Sequence, residues 1–186
     1  MTKILMLLRH AKSSWKDNTL RDSDRPLKKK GKQTAKLVGK LIAHSGYQPD
    51  IVLSSPAKRA KETAKIVKKQ SDHNGSIHYV DAFYMGEPGD YIQALRGLPD
   101  DGGDVMLVGH NPGLEDLLSL IEGKFNPLST CALAILELEL SRWSDFNAST
   151  VSTLIQFIDP EKVDLQELER KMAKARKDKD KADKKN

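Results

Sequence analysis

Four residues stand apart from the pattern around them: Arg9, His10, Arg59 and His110. Arg9-His10 ends the apolar run Lys3-Ile4-Leu5-Met6-Leu7-Leu8, which reads as a buried strand. Asp50-Ile51-Val52-Leu53-Ser54 reads the same way and is followed by Ser55, Pro56 and, one helical turn on, Arg59. Asp104-Val105-Met106-Leu107-Val108 is a third such run, and Gly109-His110-Asn111 follows it directly. In open α/β sheets, ligands bind beyond the carboxyl ends of the strands. If these strands are parallel, two arginines and two histidines meet on one edge, and helices that start there add unpaired N–H groups. That set describes a phosphate pocket.

Two histidines in such a pocket allow metal binding or nucleophilic catalysis. A metal site needs a third ligand, yet no further His or carboxylate follows either one at ligand spacing, and the arginines would repel a cation. In the other chemistry, one imidazole attacks phosphorus while the remaining groups stabilise charge on the equatorial oxygens. This fits better, so no metal and no cofactor is expected.

The elements that must position these groups follow from periodicity. The stretch Ser13 to Arg25 is polar loop chemistry, long enough to belong to a site. Pro26 is expected to open a helix with the stripe Thr34, Leu37, Val38, Leu41 and Ile42, stopped at Ser45-Gly46. Its other face carries Lys28, Lys29, Lys30, Lys32, Lys36 and Lys40, most simply a solvated face that could also steer an acidic partner. Ser55 is expected to cap the next helix with Pro56 at its first position, and Ala57, Ala60, Ala64 and Val67 form its inner stripe. A short strand at Ile77 to Val80 and a helix at Asp90 to Leu98 come next. Asn111 and Pro112 then launch a helix through Leu114, Leu117, Leu118 and Ile121 that Gly123 stops. Ala134 to Leu140 alternates as a strand with one wet face, and Ser152 to Ile158 is its expected antiparallel or edge partner. Strand–helix alternation through residue 123 predicts a three-layer α/β/α sandwich with a mostly parallel central sheet.

Composition narrows the class. The formal net charge is +5, but residues 170–186 hold 9 basic and 3 acidic side chains, leaving 22 basic and 23 acidic in the rest. The body is near neutral, so nucleic acid is not an expected partner. The single cysteine, Cys131, lies in an apolar run and reads as a buried structural thiol. The apolar start is too short for a signal peptide, and no stretch is long enough to cross a bilayer; a cytoplasmic protein, a monomer without membrane contact, is expected. Residues 1–160 are expected to form the domain and residues 161–186 a charged helix and tail. Leu165, Leu168, Met172 and Ala175 give that helix a narrow apolar stripe, with a frayed, solvated end after Ala175. His44, His73 and His78 have no sequence partners and read as surface or loop residues.

Three motifs in order carry a family resemblance: Leu8-Arg9-His10-Ala11, Ser54 to Thr63 with Arg59, and Val108-Gly109-His110-Asn111. Together they resemble the histidine phosphatase superfamily, the fold of phosphoglycerate mutases. Asp24-Arg25-Pro26-Leu27 with Gly31 also resembles the family's approach to its first helix. The short length, Arg-His-Ala-Lys-Ser and Gly-His-Asn-Pro-Gly are most similar to the SixA-type phosphohistidine phosphatases. The resemblance implies that His10 is the nucleophile, that Arg9 and Arg59 clamp the phosphate, and that His110 stabilises the transition state. Lys12, Ser13 and Asn111 are the implied pocket lining. The implied activity is hydrolysis of phosphohistidine on a protein. Its alternatives are a small-molecule phosphomonoester phosphatase and a non-catalytic phosphate-binding module.

Two departures matter. Ala11 stands where the family usually has glycine, and a methyl is the least intrusive replacement. No recognisable motif supplies the acid that larger members use to protonate the leaving oxygen, and Asp81 and Glu87 are the candidates. A phosphohistidine substrate lessens the need for that acid, because its imidazole can take up a proton before the P–N bond breaks.

Overall fold

The computed structural model describes residues 2–183. Strands β1 (Lys3–Arg9), β2 (Ile51–Ser54), β3 (Ile77–Tyr79), β4 (Val105–Gly109), β5 (Leu133–Leu138) and β6 (Ser152–Ile158) form one sheet in the order β3-β2-β4-β1-β5-β6. The first four are mutually parallel, whereas β5 and β6 are added antiparallel at the far edge. Leu8 and Ser54 are both in register with Val108 of the strand between them. The parallel strands therefore end at one level, with Leu8, Val108 and Ser54 side by side and Arg9 beside Gly109. The expected convergence of strand ends is met.

Helices α1 (Lys29–Ser45), α2 (Lys58–Gln70) and α5 (Leu165–Asp183) cover one face of the sheet. Helices α3 (Pro88–Arg96) and α4 (Gly113–Glu122) cover the other. Alternate residues of β1 divide between the two layers: Ile4, Met6 and Leu8 pack under α1 and α2, while Leu5 and Leu7 pack under α3 and α4. Burial on both faces is why that strand is a continuous apolar run. Among the described residues, no helix is long and apolar enough to cross a membrane.

Several local expectations are corrected by tertiary contacts. Helix α1 starts at Lys29, not Pro26, because Leu27 is held extended in an isolated bridge to Ser13. Helix α2 starts at Lys58 with Ala57 as its cap residue, since the Ser55 hydroxyl is committed elsewhere. Helix α4 starts at Gly113, and the Asn111 side chain bonds Glu115 and the Leu128 carbonyl. Helix α3 begins at Pro88, two residues before Asp90, because Glu87 and Asp90 form a reciprocal capping box around its first turn. The wet face of β5 shrinks to the half-buried Glu137, as β6 and both helical layers enclose the rest. Helix α5 continues beyond Ala175 to Asp183, with Leu165, Leu168 and Met172 packed on the α1 layer. His73 is buried, not a surface residue, and His44 faces Glu169 at 3.7 Å. Cys131 is buried as expected, and burial pushes its thiol up to about 12.

One glycine ties α1 to the segment that carries the first histidine. A Cβ on Gly31 would lie 2.3 Å from the Lys12 carbonyl oxygen, two residues after His10. Gly31→Ala is expected to cost about 1–3 kcal/mol, and so to lower the melting temperature by several degrees. Gly89→Ala, with open space around it, should stay within about 0.5 kcal/mol of the wild type. Thermal unfolding of the two variants checks both.

Candidate active site

Each predicted catalytic side chain comes from a strand end or the turn after it. Arg9 is the last residue of β1, and His10 follows with its N–H bonded to the Gly109 carbonyl of β4. Ala11 is fully buried; its carbonyl accepts a hydrogen bond from His10 Nδ1 (2.8 Å), and its N–H donates to Thr63 Oγ1. Thr63 in turn donates to the Arg59 carbonyl, so the first turns of α2 are tied to the backbone next to His10. With a carbonyl as partner, Nδ1 must carry the proton, and the lone pair lies on Nε2. Arg59 Nε donates to that Nε2 at 3.3 Å.

His110 lies beside it, with 4.9 Å between ring centroids. Its Nε2 is 2.8 Å from Ser55 Oγ, which also accepts the Ala57 N–H. The serine proton is therefore free to point at Nε2. With the serine donating, the imidazole proton is on Nδ1, which is buried without a protein partner among the described residues. Arg9 Nη1 donates to the Leu128 carbonyl at 2.7 Å, and its Nε is likewise buried and unpaired. Two buried donors without partners, in a cluster that also holds the unprotonated His10 Nε2, suit a tetrahedral anion.

Burial lowers the pKa of both rings. For His10 burial comes first, then repulsion from Arg59, Arg9 and Arg25; together they outweigh the Ala11 hydrogen bond and bring it to about 4. His110 is brought to about 3 by burial, then by His10 and Arg59. Both imidazoles are neutral at pH 7.

Sequence reasoning missed the cluster on the outer side of Arg59. Asp22 lies in a short 3-10 turn, Asp22–Asp24, of the long polar loop. Its carboxylate accepts from Arg59 Nη2 (2.8 Å), Arg25 Nη1 (2.7 Å) and Tyr84 Oη (3.1 Å). Its partial burial would raise its pKa, but the bonds from Arg25 and Arg59 win and hold it at about 2. The Tyr84 ring stands edge-on to His110, 5.9 Å between centroids. Arg25 is buried, fixed by Ser13 Oγ and the Ser14 carbonyl, and stacks under Trp15 at 3.1 Å from the ring centre.

The remaining candidates fall in different places. The hydroxyl of Ser13 holds Arg25, and Asn111 braces the Leu128 segment that also receives Arg9. Lys12 is exposed and lines a cavity of about 290 Å³ with Lys30, Thr34 and Glu161. Asp81 and Glu87 are exposed, and Glu87 is engaged in capping α3.

Comparison with known proteins agrees with this geometry. Residues 5–83 match the family model of the histidine phosphatase superfamily, branch 1. The chain is 34% identical over 154 residues to an uncharacterized chloroplastic protein of Arabidopsis thaliana, covering 78% of this chain and 71% of the relative. A crystal structure of a candidate phosphohistidine phosphatase SixA from Agrobacterium tumefaciens is 30% identical, with a TM-score of 0.73, covering 85% of this chain and 98% of that one. The protein belongs to the histidine phosphatase superfamily. Within the superfamily it is of the SixA type. The structure of a SixA protein histidine phosphatase complexed with tungstate shares the fold, with a TM-score of 0.71 at 22% identity, over 84% of this chain and 97% of that one.

The depressed histidines have a consequence for stability. Folded pKa values of about 4 and about 3 lie below the ordinary 6.5, so the unfolded chain binds more protons between those limits. Stability should therefore fall as pH drops from 6.5 toward 4, by up to about 1.4 kcal/mol per pH unit for each histidine. Asp22, depressed from 3.8, contributes its own loss only below that window. Urea midpoints followed against pH should show a flatter slope for His10→Asn and for His110→Asn than for the wild type.

Proposed function

We propose that this protein is a phosphatase that hydrolyses phosphohistidine on other proteins through a phospho-His10 intermediate, with no metal or cofactor. The observation that carries the reading is the His10 ring: Nδ1 tied to its own chain, Nε2 free and facing Arg59, and a pKa well below neutrality. Nε2 attacks phosphorus, and the P–N bond of the substrate breaks with its electron pair returning to the leaving imidazole. That imidazole, already protonated on its other nitrogen, departs neutral. Water then attacks phospho-His10, and the P–Nε2 pair returns to His10 as orthophosphate forms. Arg9, Arg59 and His110 Nδ1 balance charge on the phosphoryl oxygens in both steps.

Three further features support this substrate class. The carboxylate on the outer side of Arg59, Asp22, is held at about 2 and so cannot give up a proton at neutral pH. With Asp22 unable to act as the acid, a leaving group that carries its own proton is favoured, which an imidazole can be and a serine alkoxide cannot. Trp15 is 72% exposed where it stacks on Arg25, and exposed aromatics are favoured contacts at protein interfaces. The likeness at 30% identity to a candidate phosphohistidine phosphatase points the same way.

Brief exposure to a 32P-phosphohistidine protein followed by a basic quench should leave acid-labile label on the wild type and none on His10→Ala. Arg59→Ala should lower kcat/KM by about 10² or more. Faster hydrolysis of phosphoserine esters than of phosphohistidine at neutral pH contradicts the substrate assignment. Retention of ligand without any labelling would mark a binding module instead.

A further inference from the structure

We propose that Asp22 sets the substrate class of this site by favouring a phosphorylated group that is cationic when bound and departs neutral over one that departs as an oxyanion. The inference rests on the phosphatase reading above and deepens it.

The geometry begins with one edge of Arg59. Its Nε faces His10 Nε2 at 3.3 Å, and its Nη2 faces Asp22 Oδ2 at 2.8 Å. The attacking nitrogen and the carboxylate thus flank the same guanidinium, where phosphoryl oxygens would be received. His10 is 9% exposed, whereas the Asp22 side chain is 40% exposed. The carboxylate is thus the more solvent-exposed of the two groups on that guanidinium, open to a side chain of another protein.

The carboxylate does not depend on Arg59 alone. Arg25 holds Oδ1, Tyr84 holds Oδ2, and Arg25 is itself buried and pinned by Ser13 and Ser14. When phosphoryl oxygens engage Arg59, two donors still keep Asp22 in place. Its low pKa keeps it negative throughout.

A fixed negative charge there acts oppositely on two leaving groups. A phosphorylated imidazole protonated on its far nitrogen is a cation, and Asp22 can accept that N–H. As His10 Nε2 forms its bond to phosphorus, the old P–N pair returns to the ring, which leaves neutral with the proton retained. A serine phosphate instead leaves its electron pair on oxygen, and an adjacent carboxylate repels the developing alkoxide. It also repels inorganic phosphate.

The test is kcat/KM on a phosphohistidine peptide and a phosphoserine peptide of the same flanking sequence, for the wild type, Asp22→Asn and Asp22→Glu. In Asp22→Asn the preference for phosphohistidine should fall by about tenfold or more, with inorganic phosphate a stronger inhibitor. Asp22→Glu, which keeps the charge, should recover part of the preference. A loss of the same factor on both peptides, or weaker inhibition by phosphate, overturns the proposal, because Asp22 would then serve only to brace Arg59. A wild type that hydrolyses neither peptide and takes no label on His10 overturns the parent reading instead.

Discussion

The contact between Arg59 and His10 is the one on which the rest of the site depends. A guanidinium within 3.3 Å of Nε2 favours the neutral ring, and it can donate to that nitrogen only while the lone pair is there. The Nδ1 contact with the Ala11 carbonyl fixes the tautomer, and the Thr63 bridge fixes the distance between the two chain segments. The sheet makes this possible by ending β1, β2 and β4 at one level. Packing supplies the frame, and a few hydrogen bonds of high sequence separation set the chemistry within it.

Concentrating Arg9, Arg25 and Arg59 around two imidazoles is costly for any histidine that would be charged, and burial adds to the cost. The fold resolves this by keeping both rings neutral and by placing Asp22 against two of the three arginines. The same arrangement that stabilises the unliganded cluster also prepares it for an anion. Among the described residues, Arg9 Nε and His110 Nδ1 remain buried without a protein partner in the same cluster.

Much of this was legible in the sequence, and what was not has physical causes. Arg9, His10, Arg59 and His110 are visible because each breaks an apolar period at a strand end or in the turn that follows. Asp22, Arg25 and Tyr84 lie in stretches without periodicity, and their contacts with Arg59 and with each other cross 37 and 62 residues. Arg25 is flagged only within Asp24-Arg25-Pro26-Leu27, and the spacing Asp22-x-x-Arg25 reads equally well as loop chemistry. The helix starts moved because Ser55 and Asn111, good caps by type, were drawn to His110 and to Glu115 by tertiary contacts. Ser13 and Asn111 hold Arg25 and the Leu128 segment that Arg9 also bonds, a role that spacing alone does not distinguish from contact with a substrate.

The central claim is that His10 presents a free Nε2 lone pair at neutral pH. The 15N–1H correlation spectrum of the imidazoles in 15N-labelled protein tests it most directly, with His10→Asn used for assignment. At pH 7 the His10 ring should be the neutral tautomer with its proton on Nδ1, titrating with a midpoint of about 4. A His10 ring that is protonated at pH 7, or that carries its single proton on Nε2, would contradict the account.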